Sequence, residues 1–287
     1  MRIGSTGKGS LLSQLSSLGI RPKKGLGQNF LLDAAHRVRI VAAANLTPAD
    51  VVLEVGPGPG VLTELLAEQA GRVIAVELDE RLIPFLRQRF AAQPHVTILH
   101  GDILKLPVGD LIREAAGSAT PPAYKVVANL PYYITSAVVR HLLESTPPPA
   151  LLVLTVQREV AERMVAAPPQ MSLLALGVQF YCVAEIVDRI PAGAFYPVPK
   201  VDSAVVRLVR REVPAVPGIA PADYFRVARA GFSQPRKQLR NALAAGLGVS
   251  PAQAMAWLTT AGIAPERRAE TLSLAEWGAL ARAISSS

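Results

Sequence analysis

A single cysteine, Cys182, stands in 287 residues. No internal disulfide can form, and nothing demands an oxidising compartment. Histidine is nearly as scarce: His36, His95, His100 and His141 are scattered, without a His-x-x-x-His or Cys-x-x-Cys arrangement, so no metal site is expected. No run approaches eighteen apolar residues, which argues against a transmembrane helix. Residues 1–20 are rich in Gly and Ser and lack a continuous apolar stretch, so no secretory signal is expected. No Gly-x-Ser-x-Gly elbow and no Walker loop occur, leaving covalent catalysis and phosphoryl transfer without visible machinery. Internal repeats are lacking too. These absences together predict a soluble cytoplasmic protein without metal or membrane partner.

What is present is apolar and basic. Half the residues are apolar and the mean hydropathy is +0.30, so a sizeable core is available to one large domain or to a large and a small one. A net charge of +8 favours a polyanionic partner or an acidic membrane surface.

The central stretch is residues 126–134, Val-Val-Ala-Asn-Leu-Pro-Tyr-Tyr-Ile. Its branched run predicts a buried strand that must stop at Pro131, which has no N–H for a ladder. Asn129 and Tyr132 then stand at a strand's carboxyl end, where open α/β sheets bind ligands. An amide acceptor beside an aromatic face suits a flat heterocycle with an exocyclic amine; a strand-ending turn with two core tyrosines is the alternative.

Earlier in the chain, residues 51–55 read as a buried strand, followed by Gly56-Pro57-Gly58-Pro59-Gly60 and a helix from Val61 to about Gln69. Glycines after a strand let backbone approach a ligand closely, with a helix N-terminus behind them. The dinucleotide fingerprint would need glycine where Val61 stands. The next strand, 72–76, ends at Glu77, the position that accepts from ribose hydroxyls in such units. A helix follows over about 79–91, and a third strand, 96–100, ends at Gly101-Asp102. Asp33 caps a helix to about Asn45, and Thr135 or Ser136 caps one to Glu144. Residues 150–156 form a further strand, and 177–190 and 204–209 read as a final strand pair. Between these last two, Phe195-Tyr196-Pro197-Val198-Pro199-Lys200-Val201 is a stiff loop that either packs its aromatic or displays it for stacking.

Three domains are expected: a flexible leader over 1–20, an α/β domain over 21–212, and a small all-α domain over 213–287 with helices at about 223–231, 236–246, 251–261 and 273–284. On the second of these, Arg236, Lys237 and Arg240 would share one face. Arg21, Lys23 and Lys24 precede the polar pair Gln28-Asn29. Each of these charges is a solvated surface residue or a phosphate contact, and the same two readings apply to Arg158, Arg163 and Lys200.

The order Glu54-Val55-Gly56-Pro57-Gly58-Pro59-Gly60, Glu77, Asp102 and Asn129-Leu130-Pro131-Tyr132 resembles the S-adenosylmethionine-dependent N6-adenine methyltransferases. Gly27-Gln28-Asn29-Phe30-Leu31 and the 195–206 stretch narrow the resemblance to the ribosomal RNA adenine dimethyltransferase family. Residues 232–243 and Arg268-Ala269-Glu270-Thr271-Leu272-Ser273 are similar to its small-subunit branch.

The resemblance implies a Rossmann-like class I methyltransferase sheet with helices on both faces. It implies S-adenosyl-L-methionine as cofactor, S-adenosyl-L-homocysteine as product, and a monomer acting on small-subunit ribosomal RNA within a pre-30S particle. The implied reaction gives N6,N6-dimethyladenosine at two adjacent adenines of the 3′-terminal hairpin of 16S ribosomal RNA. Gln28, Asn29, Leu31, Glu54, Gly56, Gly58, Gly60, Glu77, Asp102, Ile103 and Asn129 would hold the cofactor. Asn129, Leu130, Pro131 and Tyr132 would hold the target base, and Phe195 would stack on it. Arg21, Lys23, Lys24, Arg158, Arg163, Lys200, Arg236, Lys237 and Arg240 would touch RNA. Three departures stand out: Pro235 replaces an arginine, residues 171–174 lack the usual Tyr-Gly, and the leader is long. The large-subunit antibiotic-resistance branch and a non-catalytic assembly or transcription factor are the competing readings.

Overall fold

Branched apolar runs alternating with helices have one good way to bury both faces of a sheet, and this chain takes it. The computed structural model describes residues 21–286, together with Ser13 and Gly19. Apart from those two, the expected leader lies outside the described residues. The strands are β1 (Phe30–Leu31), β2 (Val51–Val55), β3 (Arg72–Glu77), β4 (Val96–His100), β5 (Tyr124–Asn129), β6 (Leu151–Gln157), β7 (Cys182–Ile190), β8 (Phe195–Tyr196) and β9 (Ser203–Arg210).

Seven of them form a sheet in the order β4-β3-β2-β5-β6-β9-β7. Strands β2 to β6 run parallel to their neighbours, and β9 runs antiparallel to β6. The chain moves outward from β2 through β3 to β4, then returns to the other side of β2 with β5. The switch in direction therefore lies between β2 and β5, and a crevice opens there at the carboxyl ends. Separately, β1 and β8 pair antiparallel, Phe30 opposite Tyr196 and Leu31 opposite Phe195.

Two units emerge. One comprises residues up to Ala161 together with Glu185–Val209; the other comprises Glu162–Ala184 and Arg210–Ser287. In the first, Leu31, Val52, Val127, Val153 and Phe195 share a core. In the second, Phe180, Tyr224, Leu243, Leu258 and Trp277 do so.

The expected boundary at 212 therefore needs correction. The 162–184 segment belongs with the helical unit, because Met171, Ala175, Leu176 and Phe180 are buried in that unit's core. The expected strand over 177–190 is also corrected. Leu173–Tyr181 is a helix, capped by the Ser172 side chain accepting from the Ala175 amide, and only Cys182–Ile190 is extended. A continuous apolar run fits either state, and the cap decides for helix.

Two helix starts differ as well. The helix expected from Arg236 begins at Leu239, because Pro235 sits in a turn closed by the Lys237 amide donating to the Gln234 carbonyl at 2.9 Å. Arg236 and Lys237 are turn residues, and the three-cation helical stripe does not form. The helix Thr135–Leu143 has Ile134 at its cap without a side-chain bond; Thr135 instead donates to the Pro131 carbonyl. The Asp33 cap forms as expected, accepting from the His36 amide. Among the described residues no helix is long and apolar enough to cross a membrane.

Candidate active site

The carboxyl ends of β2, β3, β4 and β5 converge on one pocket. Of the expected cofactor residues, Gln28, Asn29, Leu31, Glu54, Gly56, Gly58, Glu77, Asp102, Ile103 and Asn129 line it, as do Leu130, Pro131 and Tyr132. Two expected residues do not. Gly60 adopts a left-handed conformation at the start of the Val61–Ala67 helix, and a Cβ there would lie 2.8 Å from the Phe90 ring, so it serves close packing rather than the ligand. Phe195 is 2% exposed and packs in the core with Leu31 and Val205. The displayed ring expected for base stacking is thus corrected to a buried one, and its pairing opposite Leu31 explains why.

The glycine turn is shaped to admit a ligand. Gly56 and Gly58 have φ of +69° and +56°, values that side-chain-bearing residues rarely adopt. A Cβ on Gly56 would point into open space within the pocket. Behind it, Gly58 donates its amide to a Glu77 carboxylate oxygen at 3.0 Å, and Asp79 donates to the other at 2.8 Å. Each oxygen keeps a lone pair for a hydroxyl. Burial holds the Glu77 carboxyl above its ordinary pKa, opposed by the Asp79 and Gly58 amides.

Glu54 is deeper. Its carboxyl accepts from the Thr63 hydroxyl at 2.6 Å, and burial pushes its pKa up to about 8. Asp102 accepts from the Leu104 amide at 3.1 Å and faces the pocket from the end of β4. Carboxylates at two strand tips, an open glycine cradle and the apolar side chains of Leu31 and Ile103 fit an adenosyl group bearing an amino-acid tail. Among the described residues no His/Cys/Asp/Glu cluster could hold a metal ion.

At the end of β5, Asn129 donates its side-chain nitrogen to the Asn29 carbonyl at 2.9 Å. A carbonyl can only accept, so the amide orientation is fixed and its oxygen is left for another donor. The Leu130 amide is taken by the Thr155 carbonyl at 3.1 Å. Tyr132 shares a hydrogen bond with the Ser203 hydroxyl at 2.7 Å, and burial raises its phenol pKa.

Residues missed in the sequence also line the pocket. Phe30 packs on Gly58, and Tyr133 packs on Gly27 while remaining 60% exposed. Leu78, an exposed apolar residue beside Glu77, lines it too; its place directly after a strand-tip carboxylate was the available signal.

The expected RNA contacts differ among themselves. Arg21, Lys23, Arg163, Lys200, Arg236 and Lys237 are exposed. Arg158 is exposed but pairs with Asp202 at 3.4 Å. Arg240 is half-buried, and its Nε lacks a hydrogen-bond partner. The Lys24 side chain lies outside what is described.

The chain is 49% identical over 279 residues to Ribosomal RNA small subunit methyltransferase A of Dehalococcoides mccartyi, covering 96% of this chain and 94% of the relative. It is 42% identical to the protein of the same name from Moorella thermoacetica, covering 96% and 97%. Among solved structures, the 23S rRNA methyltransferase ErmE matches with TM-score 0.70 at 29% identity, over 90% of this chain and 100% of that one. A dimethyladenosine transferase from Plasmodium falciparum matches with TM-score 0.71 at 26% identity, over 88% and 95%. The description Ribosomal RNA adenine dimethylase matches residues 19–285, and with the pocket's strand-tip carboxylates and its Asn-Leu-Pro-Tyr rim in place, the chain belongs to the ribosomal RNA adenine dimethylase family.

Proposed function

We propose that this chain transfers methyl groups from S-adenosyl-L-methionine to the N6 amines of two adjacent adenines in the 3′-terminal hairpin of 16S ribosomal RNA. It works as a cytoplasmic monomer on a pre-30S particle. The observation that carries the reading is the Asn129 amide at the lining of the pocket, whose nitrogen is taken by the Asn29 carbonyl so that its oxygen is left to accept.

The cofactor, when bound, supplies a methyl group already activated on a sulfonium. The protein's task is then to position a weak nucleophile, because the adenine amine's lone pair is delocalised into the ring. The Asn129 oxygen and the Leu130 carbonyl accept hydrogen bonds from the two amine N–H groups, which favours turning the lone pair out of conjugation; the one proton displaced at each methyl transfer passes to solvent. The Tyr132 ring stacks on the base, worth about 1–3 kcal/mol, with Ser203 holding its phenol. Near-attack placement accounts for up to roughly 7–11 kcal/mol of barrier, so no strong side-chain base is required. The target leaves its stack to reach the pocket. Exposed cations, among them Arg21, Lys200, Arg236 and Lys237, hold the RNA backbone with strong salt dependence.

The likeness to ErmE favours a second reading, methylation of a large-subunit adenine. The higher identity to small-subunit methyltransferases over nearly the whole chain outweighs it. Incubating unmethylated small subunits with the protein and labelled cofactor, followed by mass spectrometry of the nucleosides, should yield N6,N6-dimethyladenosine. Primer extension on both ribosomal RNAs should place it on the small subunit; its appearance on the large subunit alone would overturn the assignment.

A further inference from the structure

Asp79 stands outside the pocket, two residues beyond the Glu77 carboxylate, and is almost fully buried. Its carboxylate gathers donors from two distant parts of the chain. Arg81 grips it through Nε at 2.8 Å and Nη2 at 2.5 Å. Gln28 donates its side-chain nitrogen at 3.0 Å, and the Lys23 ammonium lies 3.8 Å away. Arg81 also reaches the Arg21 carbonyl at 3.3 Å, and the Gln28 oxygen accepts from the Lys23 amide at 2.7 Å.

The segment spanning residues 21–28 is therefore fastened at several points to one buried carboxylate. Its continuation, Asn29, supplies the carbonyl that orients Asn129. On the other side, the Asp79 amide donates to Glu77 at 2.8 Å. One residue thus links the roof of the cofactor pocket to the carboxylate on its floor.

We propose that Asp79 is a positioning residue, clasping the 21–28 segment over the cofactor pocket through Arg81, Gln28 and Lys23. It touches neither substrate nor cofactor. Its effect is to hold Gln28 and Asn29 where they close on the cofactor without further ordering on binding, which raises affinity by lowering the entropic cost. A charged carboxylate is required, since an amide in its place would turn a donor toward either Gln28 or the guanidinium. The proposal rests on the pocket being the S-adenosyl-L-methionine site.

The test uses the full chain. S-adenosyl-L-homocysteine is titrated calorimetrically, and methyl transfer to unmethylated small subunits is followed with varied S-adenosyl-L-methionine. Asp79→Asn and Arg81→Met should each raise the homocysteine-product Kd about tenfold and the KM for the cofactor in step. The kcat at saturating cofactor should stay within twofold. The double variant should bind no more weakly than Asp79→Asn alone, since both break one clasp.

A rise in Kd below threefold in either variant overturns the proposal, as do additive losses or a matching fall in kcat and kcat/KM. Should Asp79→Asn fail to fold, Arg81→Met alone decides by the same thresholds, its side chain being half-buried and outside the pocket. A wild-type chain that fails to bind the product would sink the cofactor assignment; binding that the variants leave intact would sink only the clasp.

Discussion

The Asn129 side chain reaches across one hundred residues of sequence to donate to the Asn29 carbonyl at 2.9 Å. One hydrogen bond thereby ties the 28–29 segment to the end of β5, both of which line the pocket. Under the proposed mechanism, Asn129→Ala removes the oxygen assigned to the target amine and takes the donor from the Asn29 carbonyl. Methyl transfer should fall by about a hundredfold or more, while product binding, which keeps Glu77 and Asp102, weakens far less. A labelled-methyl assay beside a product titration checks both, and full transfer activity would refute the role.

Glu77 is expected to behave differently. Its two oxygens accept from the Gly58 and Asp79 amides, so Glu77→Ala strands two buried donors at about 1–3 kcal/mol each. Stability and cofactor affinity should drop together. In steady-state assays the KM for cofactor should rise strongly while the KM for small subunits moves little.

Glu54 supplies a pH dependence. Its folded pKa of about 8 lies above the ordinary value of 4.5. Between those values the folded state keeps a proton that the unfolded chain has released, so this site's contribution to stability falls as pH rises through that window. Above about 8 the loss is complete and flat. Glu54→Gln has no proton to lose, so urea midpoints of wild type and variant should diverge from pH 5 to pH 8 in the variant's favour. Parallel curves would refute it.

Gly246 tests packing against propensity. Alanine for glycine inside a helix ordinarily stabilises by about 0.5–1 kcal/mol. Here a Cβ would lie 2.6 Å from the Ala230 Cα, backbone that cannot swing aside. Gly246→Ala should therefore destabilise, by about 1–3 kcal/mol, as read from denaturant midpoints.

Much of this was legible in the sequence because local signals and tertiary demands agreed. The 96–100 strand has the expected bounds, and the helix expected over about 273–284 runs over Leu274–Ser285. The pocket residues fall in order at strand ends, which periodicity and glycine placement announce. The failures have two causes: tertiary pairing invisible from neighbours, and local ambiguity between helix and strand. For Phe195 the loop left packing and display open and the family resemblance implied stacking, yet β1 pairs with β8 and its ring is buried. Residues 177–181 read as the start of a strand, although they end the Leu173–Tyr181 helix, because an apolar run alone does not distinguish the two states. Asp79 gave no sign at all, since its partners Gln28 and Lys23 are more than fifty residues away.

The backbone passes from one unit to the other after Ala161, returns at Glu185 and leaves again at Arg210. Three crossings mean that no single cut separates the units. A protein ended after Glu212 would keep Met171, Leu176 and Phe180 but lose Tyr224, Leu243 and Trp277, the residues that share their core. Such a truncation would expose a greasy remnant prone to aggregate, so a protease nick at the 213–221 linker should leave two fragments that stay together until denatured.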